Sequence, residues 1–331
     1  MKRPTKLIVL TATVAMTGCS TGAFSNTQPS AIAQTAPTRH SQPTQCGTGF
    51  RGARRTIYRA RVQRATAPNY VYVTEGNVNQ MVVYPAGLSN PSPIGYQCFG
   101  ISPFGVTTDH EGQVYVSIAN EGEGQVEIFS DGGGTLIGTL GASNGLKVPD
   151  GLTVDSNDNL YVADGGNGYV LVFHHNAKTS FCTLTPGNNY PPMAVATDAS
   201  DNVYVKLGNG DLGSKYGEFS SGCPQSNAVL LPFSCGYPEG GITVDSAGEV
   251  AFGCGDDVEF YAHSGSSWQK SKTLQYTEPV ALLTTGPAGE LYVPLADGAA
   301  NSSVNVIPNS AQAPYSITNG VEYAAGAAGG I

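Results

Sequence analysis

From about residue 70 onward, apolar residues come in two short patterns that recur along the chain. One is a run of consecutive apolar residues, as in Leu160-Tyr161-Val162-Ala163. The other alternates with polar residues, as in Gln125-Val126-Glu127-Ile128. Consecutive runs of this length suit strands covered on both faces, and alternation suits strands with one wetter face. Between them, stretches such as Asp155-Ser156-Asn157-Asp158-Asn159 and Asp109-His110-Glu111-Gly112 supply turn-forming side chains. The pattern predicts many short strands joined by tight turns.

These strands belong to a repeat. Its form is Pro-x-Gly-x-x-x-Asp, a turn, Tyr-Val, then a strand ending in an aromatic. The clearest copy runs from Pro149 through Asp155 and Tyr161-Val162 to Tyr169-Val170-Leu171-Val172-Phe173. The repeated Tyr stands at 72, 115, 161, 204 and 292, with Ala251 in its place in the fifth copy, so the spacings are 43, 46, 43, 47 and 41. A period of about 44 is that of a four-stranded propeller blade.

The repeat closely resembles NHL repeats and, more loosely, the six-bladed propellers of the gluconolactonase and regucalcin type. The resemblance covers residues 68–323. It implies an all-β fold, a six-bladed β-propeller of four-stranded blades closed by a C-terminal strand. It leaves the activity open, because such rings include sugar lactonases, lyases and plain binding scaffolds.

The first copy lacks its opening strand, and an exposed edge invites aggregation. Pro314 to Tyr323 is expected to supply it, since Gly320-Val321 looks like Gly105-Val106. On that reading residues 67–323 form the propeller, and the Gly/Ala run of residues 324–331 is a flexible, frayed tail.

Charge divides the chain. Residues 1–64 hold ten Lys or Arg and no acid; residues 65–331 hold six Lys and all 25 acids. An acidic body repels nucleic acid, so DNA or RNA is excluded as a partner of the main domain. The front is an address. A basic start, Met1 to Lys6, precedes an apolar stretch, Leu7–Met16, too short to span a bilayer. It runs into Met16-Thr17-Gly18-Cys19-Ser20, which resembles a bacterial lipoprotein box. That resemblance makes residues 1–19 a signal peptide and Cys19 the lipidated residue, with Met16 where Leu is usual. The rival is ordinary cleavage at Ala31-Ile32-Ala33. Ser20 after the Cys resembles lipoproteins sorted to an outer membrane. Residues 20–66 read as a tether, polar and Pro-rich at first, then Arg-rich over Arg51–Arg64. The expected partners are the membrane, through the lipid, and an envelope protein or carbohydrate bound by a monomer.

Six cysteines follow Cys19, and an even number in an exported chain suggests disulfides. Cys235 lies just before an opening strand and Cys254 just after its antiparallel partner, so these two are expected to pair. Cys46 with Cys98 and Cys182 with Cys223 are further options, alongside free buried thiols.

The five His fall in the tether, in turns and in loops, not at strand ends that line the mouth of a ring. A lyase would want a His base there. Acids do reach the mouth. Asp150 and Glu239 follow Pro in the third and fifth copies, and Asp164 ends a second strand. These three are the candidate ligand or metal residues, with oxygens suited to Ca²⁺ or another divalent cation. Glu322 is the nearest match to the lactonase family's acid on its first opening strand. Asp109, Asp155, Asp198 and Asp245 end opening strands on the opposite face and read as turn residues. The function expected is a binding or scaffolding module, with a divalent-metal-dependent hydrolase or lactonase as the alternative.

Overall fold

Each copy of the repeat folds into a four-stranded antiparallel sheet, and the sheets stand as blades of a ring in a computed structural model. The structure describes residues 70–330, apart from positions 121, 188–189, 209–212, 221–222, 238–239, 266, 297–301 and 310–311 and the side chains of Asn120 and Asp131. Cys19, Cys46, the Arg51–Arg64 segment and Glu239 therefore lie outside the described residues. In the third blade the order from the axis outward is Pro149–Val154, Leu160–Asp164, Tyr169–Phe173 and Ser180–Thr185.

Burial follows the sequence pattern. The second strand Leu160–Asp164 is buried at every position, whereas the outer strand Val229–Cys235 of the fourth blade alternates. The reason is that the two faces of a blade feed different seams. Val162 and Leu171 pack with Val126 and Leu140 of the second blade; Ala163, Val170 and Val172 pack with Val195 and Val205 of the fourth. Six apolar clusters result, one at each seam of the ring.

The ring closes through the C-terminal strand, but a different segment does it from the one the sequence suggested. Ala324–Gly330 pairs antiparallel with Tyr70–Glu75 and becomes the first blade's inner strand. Residues 315–317 instead form the outer strand of the sixth blade, Tyr315–Ile317. The Gly/Ala composition that reads as fraying is a steric requirement. A Cβ at Gly326 would stand 2.7 Å from the Phe104 carbonyl, and one at Gly329 would overlap the Tyr292 hydroxyl. The strand is held from both sides: Thr108 and Thr284 donate to the carbonyls of Gly329 and Ala327, and the Leu282 amide donates to the Ala325 carbonyl at 3.1 Å.

The repeated Asp ties the inner turn in the second to fifth blades. Asp155 Oδ1 accepts the amides of Asn157 (2.8 Å) and Asn159 (2.9 Å), and its Oδ2 accepts the Tyr161 hydroxyl at 3.2 Å. Asp109 with Tyr115 and Asp198 with Tyr204 repeat this at 2.9 and 3.1 Å. In the fifth blade Asp245 still holds its two amides, and with Ala251 in the Tyr place its Oδ2 faces Lys272 at 3.6 Å. In the sixth, Gly286 replaces the Asp. Glu290 fills the gap, its Oε2 accepting the Ala288 amide at 3.2 Å.

Two disulfides bridge consecutive seams. Cys182 in the third blade joins Cys223 in the fourth, with Cα atoms 5.7 Å apart. Cys235, ending the fourth blade's outer strand, joins Cys254, ending the fifth blade's second strand, at 5.6 Å. Gln225–Ser226 adds to the first of these seams by pairing in parallel with Leu184 and Thr185. Cys98 is disulfide-bonded too.

Candidate functional site at the mouth of the ring

Inner strands start, and second strands end, on one face of the ring. This is the mouth, and the register assigns its residues. Asp164 pairs with Pro149, Ile118 with Pro103, Leu207 with Pro192 and Glu75 with Ala324. Asp164 and Glu75 thus occupy the same place in two blades, and they do the same work. Asp164 is fully buried and accepts the amides of Lys147 and Val148, both at 2.9 Å, and the Asn167 amide nitrogen at 2.8 Å. Glu75 is fully buried and accepts the Glu322 amide at 2.8 Å and Gln80 Nε2 at 2.5 Å. Each carboxylate ties down the chain just before its own inner strand. Burial pushes the Glu75 carboxyl up to about 7, with hydrogen bonds from Gln80 and Glu322 opposing it.

Asp150 stands one residue further in. The same place is held by Ala325, Phe104, Met193 and Ala281 in other blades. In the fifth blade Gly240, and not Glu239, corresponds, because Gly240 precedes its turn residue Asp245 by the same five positions that separate Asp150 from Asp155. The backbone agrees. Ser117 Oγ donates to the Asp150 carbonyl, Thr74 Oγ1 to the Phe104 carbonyl, and Lys206 Nζ to the Gly240 carbonyl at 2.6 Å. Each donor comes from the second strand of the preceding blade. Asp150 is therefore the one ionisable side chain at this level among the described residues. Burial pushes its carboxyl up to about 7, and the fully buried Lys206 ammonium opposes that rise.

Asp150 and Asp164 thus have different surroundings: one faces the field of Lys206, the other three nitrogen donors of its own blade. Among the described residues, no group of three or more His, Cys, Asp or Glu is placed to hold a metal ion. The described His lie elsewhere. His110 bonds Asp158 at 2.7 Å, His175 approaches Asp109 at 3.3 Å, His174 stacks on Phe181, and His263 meets Trp268 edge-on.

The mouth has a second feature that sequence reasoning missed. Four Tyr stand on the connections from an outer strand to the next inner strand: Tyr190, Tyr237, Tyr276 and Tyr323. Tyr237 is 57% exposed, the others partly so. Tyr237 lies against Gly255, Tyr323 near Gly76, and the Tyr276 amide donates to the Asp256 carbonyl at 2.9 Å, so each flanks a hairpin of the mouth. Lys215 Nζ stands 5.5 Å from the centre of the Tyr190 ring. A Tyr shortly before each inner strand of four blades was the available signal.

The NHL repeat family matches residues 146–173, which span the first three strands of the third blade. The chain is a six-bladed β-propeller carrying that repeat. No match is found among curated proteins. Among solved structures, a protein of unknown function from Bacteroides caccae has TM-score 0.54 and 12% identity, over 80% of this chain and 99% of that one. A nidogen/laminin complex has TM-score 0.59 and 14% identity, over 79% and 98%. The hydrazine synthase of Kuenenia stuttgartiensis has TM-score 0.52 and 12% identity, over 76% and 80%. At these identities the likeness is one of fold.

Proposed function

We propose that the chain is an exported, lipid-anchored propeller of the cell envelope whose mouth binds a ligand or partner without transforming it. One observation carries the choice of binding over turnover: the two fully buried carboxylates at the mouth hold loop amides, and Asp150 stands among Ala325, Phe104, Met193, Gly240 and Ala281. A hydrolytic or lyase site needs a base or metal-binding oxygens turned toward substrate. Asp164 and Glu75 are turned toward the scaffold. The nidogen/laminin complex, a protein assembly, includes a chain of this fold. Export and anchoring rest on the sequence of residues 1–19.

The test has two arms. Wild-type protein should take up a fatty-acid probe and partition into detergent, and Cys19→Ser should do neither; equal partitioning removes the anchor from the proposal. Calorimetry with Ca²⁺ and turnover of a lactone panel should both be silent. Chelator-sensitive lactone hydrolysis replaces the binding reading with the metal-dependent hydrolase.

A further inference from the structure

The geometry points to a neutral glycan chain as the ligand of this mouth, lying across the Tyr190–Tyr237 side of the ring. This deepens the binding reading above and rests on it. Three observations lead to it.

The first is that Tyr190 and Tyr237 stand on consecutive connections, those leading into the fourth and the fifth blade, and both connections are tied to the same strand. Ser214 Oγ donates to the Tyr237 carbonyl at 2.9 Å, and the next residue, Lys215, places its ammonium over Tyr190. Two adjacent residues of the strand Ser214–Phe219 thus hold the two connections, one on each side of the fourth blade. An aromatic face carries a negative quadrupole and attracts the weakly positive C–H faces of a pyranose ring, a contact that needs no charge on the ligand.

The second is that Tyr237 is held in position although it is exposed. Its amide donates to Cys235 Sγ at 3.3 Å, within the disulfide to Cys254, and its ring lies over Gly255. A Cβ at Gly255 would stand 3.0 Å from that ring, and the residue has φ +64°. A large exposed ring normally loses freedom on binding; this one has lost part of it already.

The third is charge. The body from residue 65 onward is strongly acidic, with six Lys against 25 acids, which repels polyanions. Exposed Asp256 beside Gly255 offers acceptors to hydroxyl groups on the Tyr237 side of this face. Stacking faces with hydroxyl-binding acceptors and a field hostile to polyanions suit a neutral, polyhydroxylated chain.

The test is affinity electrophoresis of the folded protein through gels containing soluble neutral polysaccharides: glucans, mannans and xylans. At least one should retard wild-type protein, and an acidic polysaccharide such as alginate should not. Tyr237→Ala should weaken retardation by about tenfold, and Tyr190→Ala similarly. Tyr237→Phe keeps the ring and should retain it. The melting curve of Tyr237→Ala should match wild type, since Tyr237 is mostly exposed; Tyr190 packs on the seam between the third and fourth blades, so Tyr190→Ala is compared at a temperature where its melting curve shows it folded. Retardation by none of the neutral polysaccharides, or by alginate alone, overturns the glycan proposal, as does unchanged binding in both Ala variants. The fatty-acid labelling of Cys19 reads the anchoring claim separately. A protein partner captured in place of a glycan would keep the binding module and discard the glycan.

Discussion

Gly329 of the last strand packs so closely on Tyr292 of the sixth blade that no Cβ fits between them. One residue on, a Cβ at Gly330 would stand 2.5 Å from the Tyr72 ring of the first blade. The closing strand is a wedge between two repeated tyrosines, and its small residues are what let it enter.

Truncation after Tyr323 should therefore open the ring, exposing the edge of Tyr70–Glu75 and the apolar seams beside it. The shortened protein should aggregate or melt far below wild type. Gly329→Val should destabilise by about 3 kcal/mol, as overpacking does. A truncated protein that melts as wild type does would contradict closure by this strand.

The Asp–Tyr tie gives a graded pair of variants. Tyr161→Phe removes one hydroxyl and should cost about 1 kcal/mol. Asp155→Ala should cost about 3 kcal/mol, because it leaves the Asn157 and Asn159 amides and the Tyr161 hydroxyl without their acceptor. Denaturant melts of the two variants check the order. Equal effects would show that the carboxylate adds nothing beyond the hydroxyl bond.

Glu75 and Asp150 set a pH dependence with a definite sign. Both carboxyls are pushed by burial up to about 7 in the folded chain. Unfolded, they ionise near pH 4. Their contribution to stability is full below that value and falls as pH rises toward 7, where charge must be held in the fold. Glu75→Gln and Asp150→Asn should each flatten that decline relative to wild type in melts between pH 4 and 8. Parallel wild-type and variant curves would contradict the assignment.

The disulfides should contribute according to the loops they close. In the chain-entropy picture Cys235–Cys254, separated by 19 residues, is worth about 3 kcal/mol, and Cys182–Cys223, separated by 41, about 4. Non-reducing peptide maps should recover both pairs, and Cys182→Ser with Cys223→Ser should lower stability the more. Other pairings in the maps would contradict the seams described here.

The ring was legible in the sequence because it is built from local signals repeated. The turn Asp residues recur at the blade period, and in three blades each bonds the Tyr six residues on, a bond the turn reading did not include. Cys235 and Cys254 could be paired because both adjoin strands of one predicted hairpin. What escaped notice depends on packing between distant copies. The 324–330 run has the composition of a loose tail, and only the nearness of Tyr72, Tyr292 and Phe104 makes small residues necessary. Asp150 and Glu239 both follow a Pro, yet the fifth copy has one more residue before its turn Asp, so Gly240 takes the equivalent place. Asp164 looks like a ligand in sequence because nothing there reveals the amides of Lys147 and Val148 beside it. The mouth tyrosines were overlooked because their distance from the next inner strand varies.

The central claim is that the mouth is the working face of this ring. Hydrogen exchange followed by mass spectrometry, with and without the neutral polysaccharide that retards the protein, tests it most directly. The account predicts protection in the mouth connections around Tyr190 and Tyr237 and in the Gly255 hairpin, with the Asp109, Asp155 and Asp198 turns unchanged. Protection confined to those turns on the opposite face would contradict it.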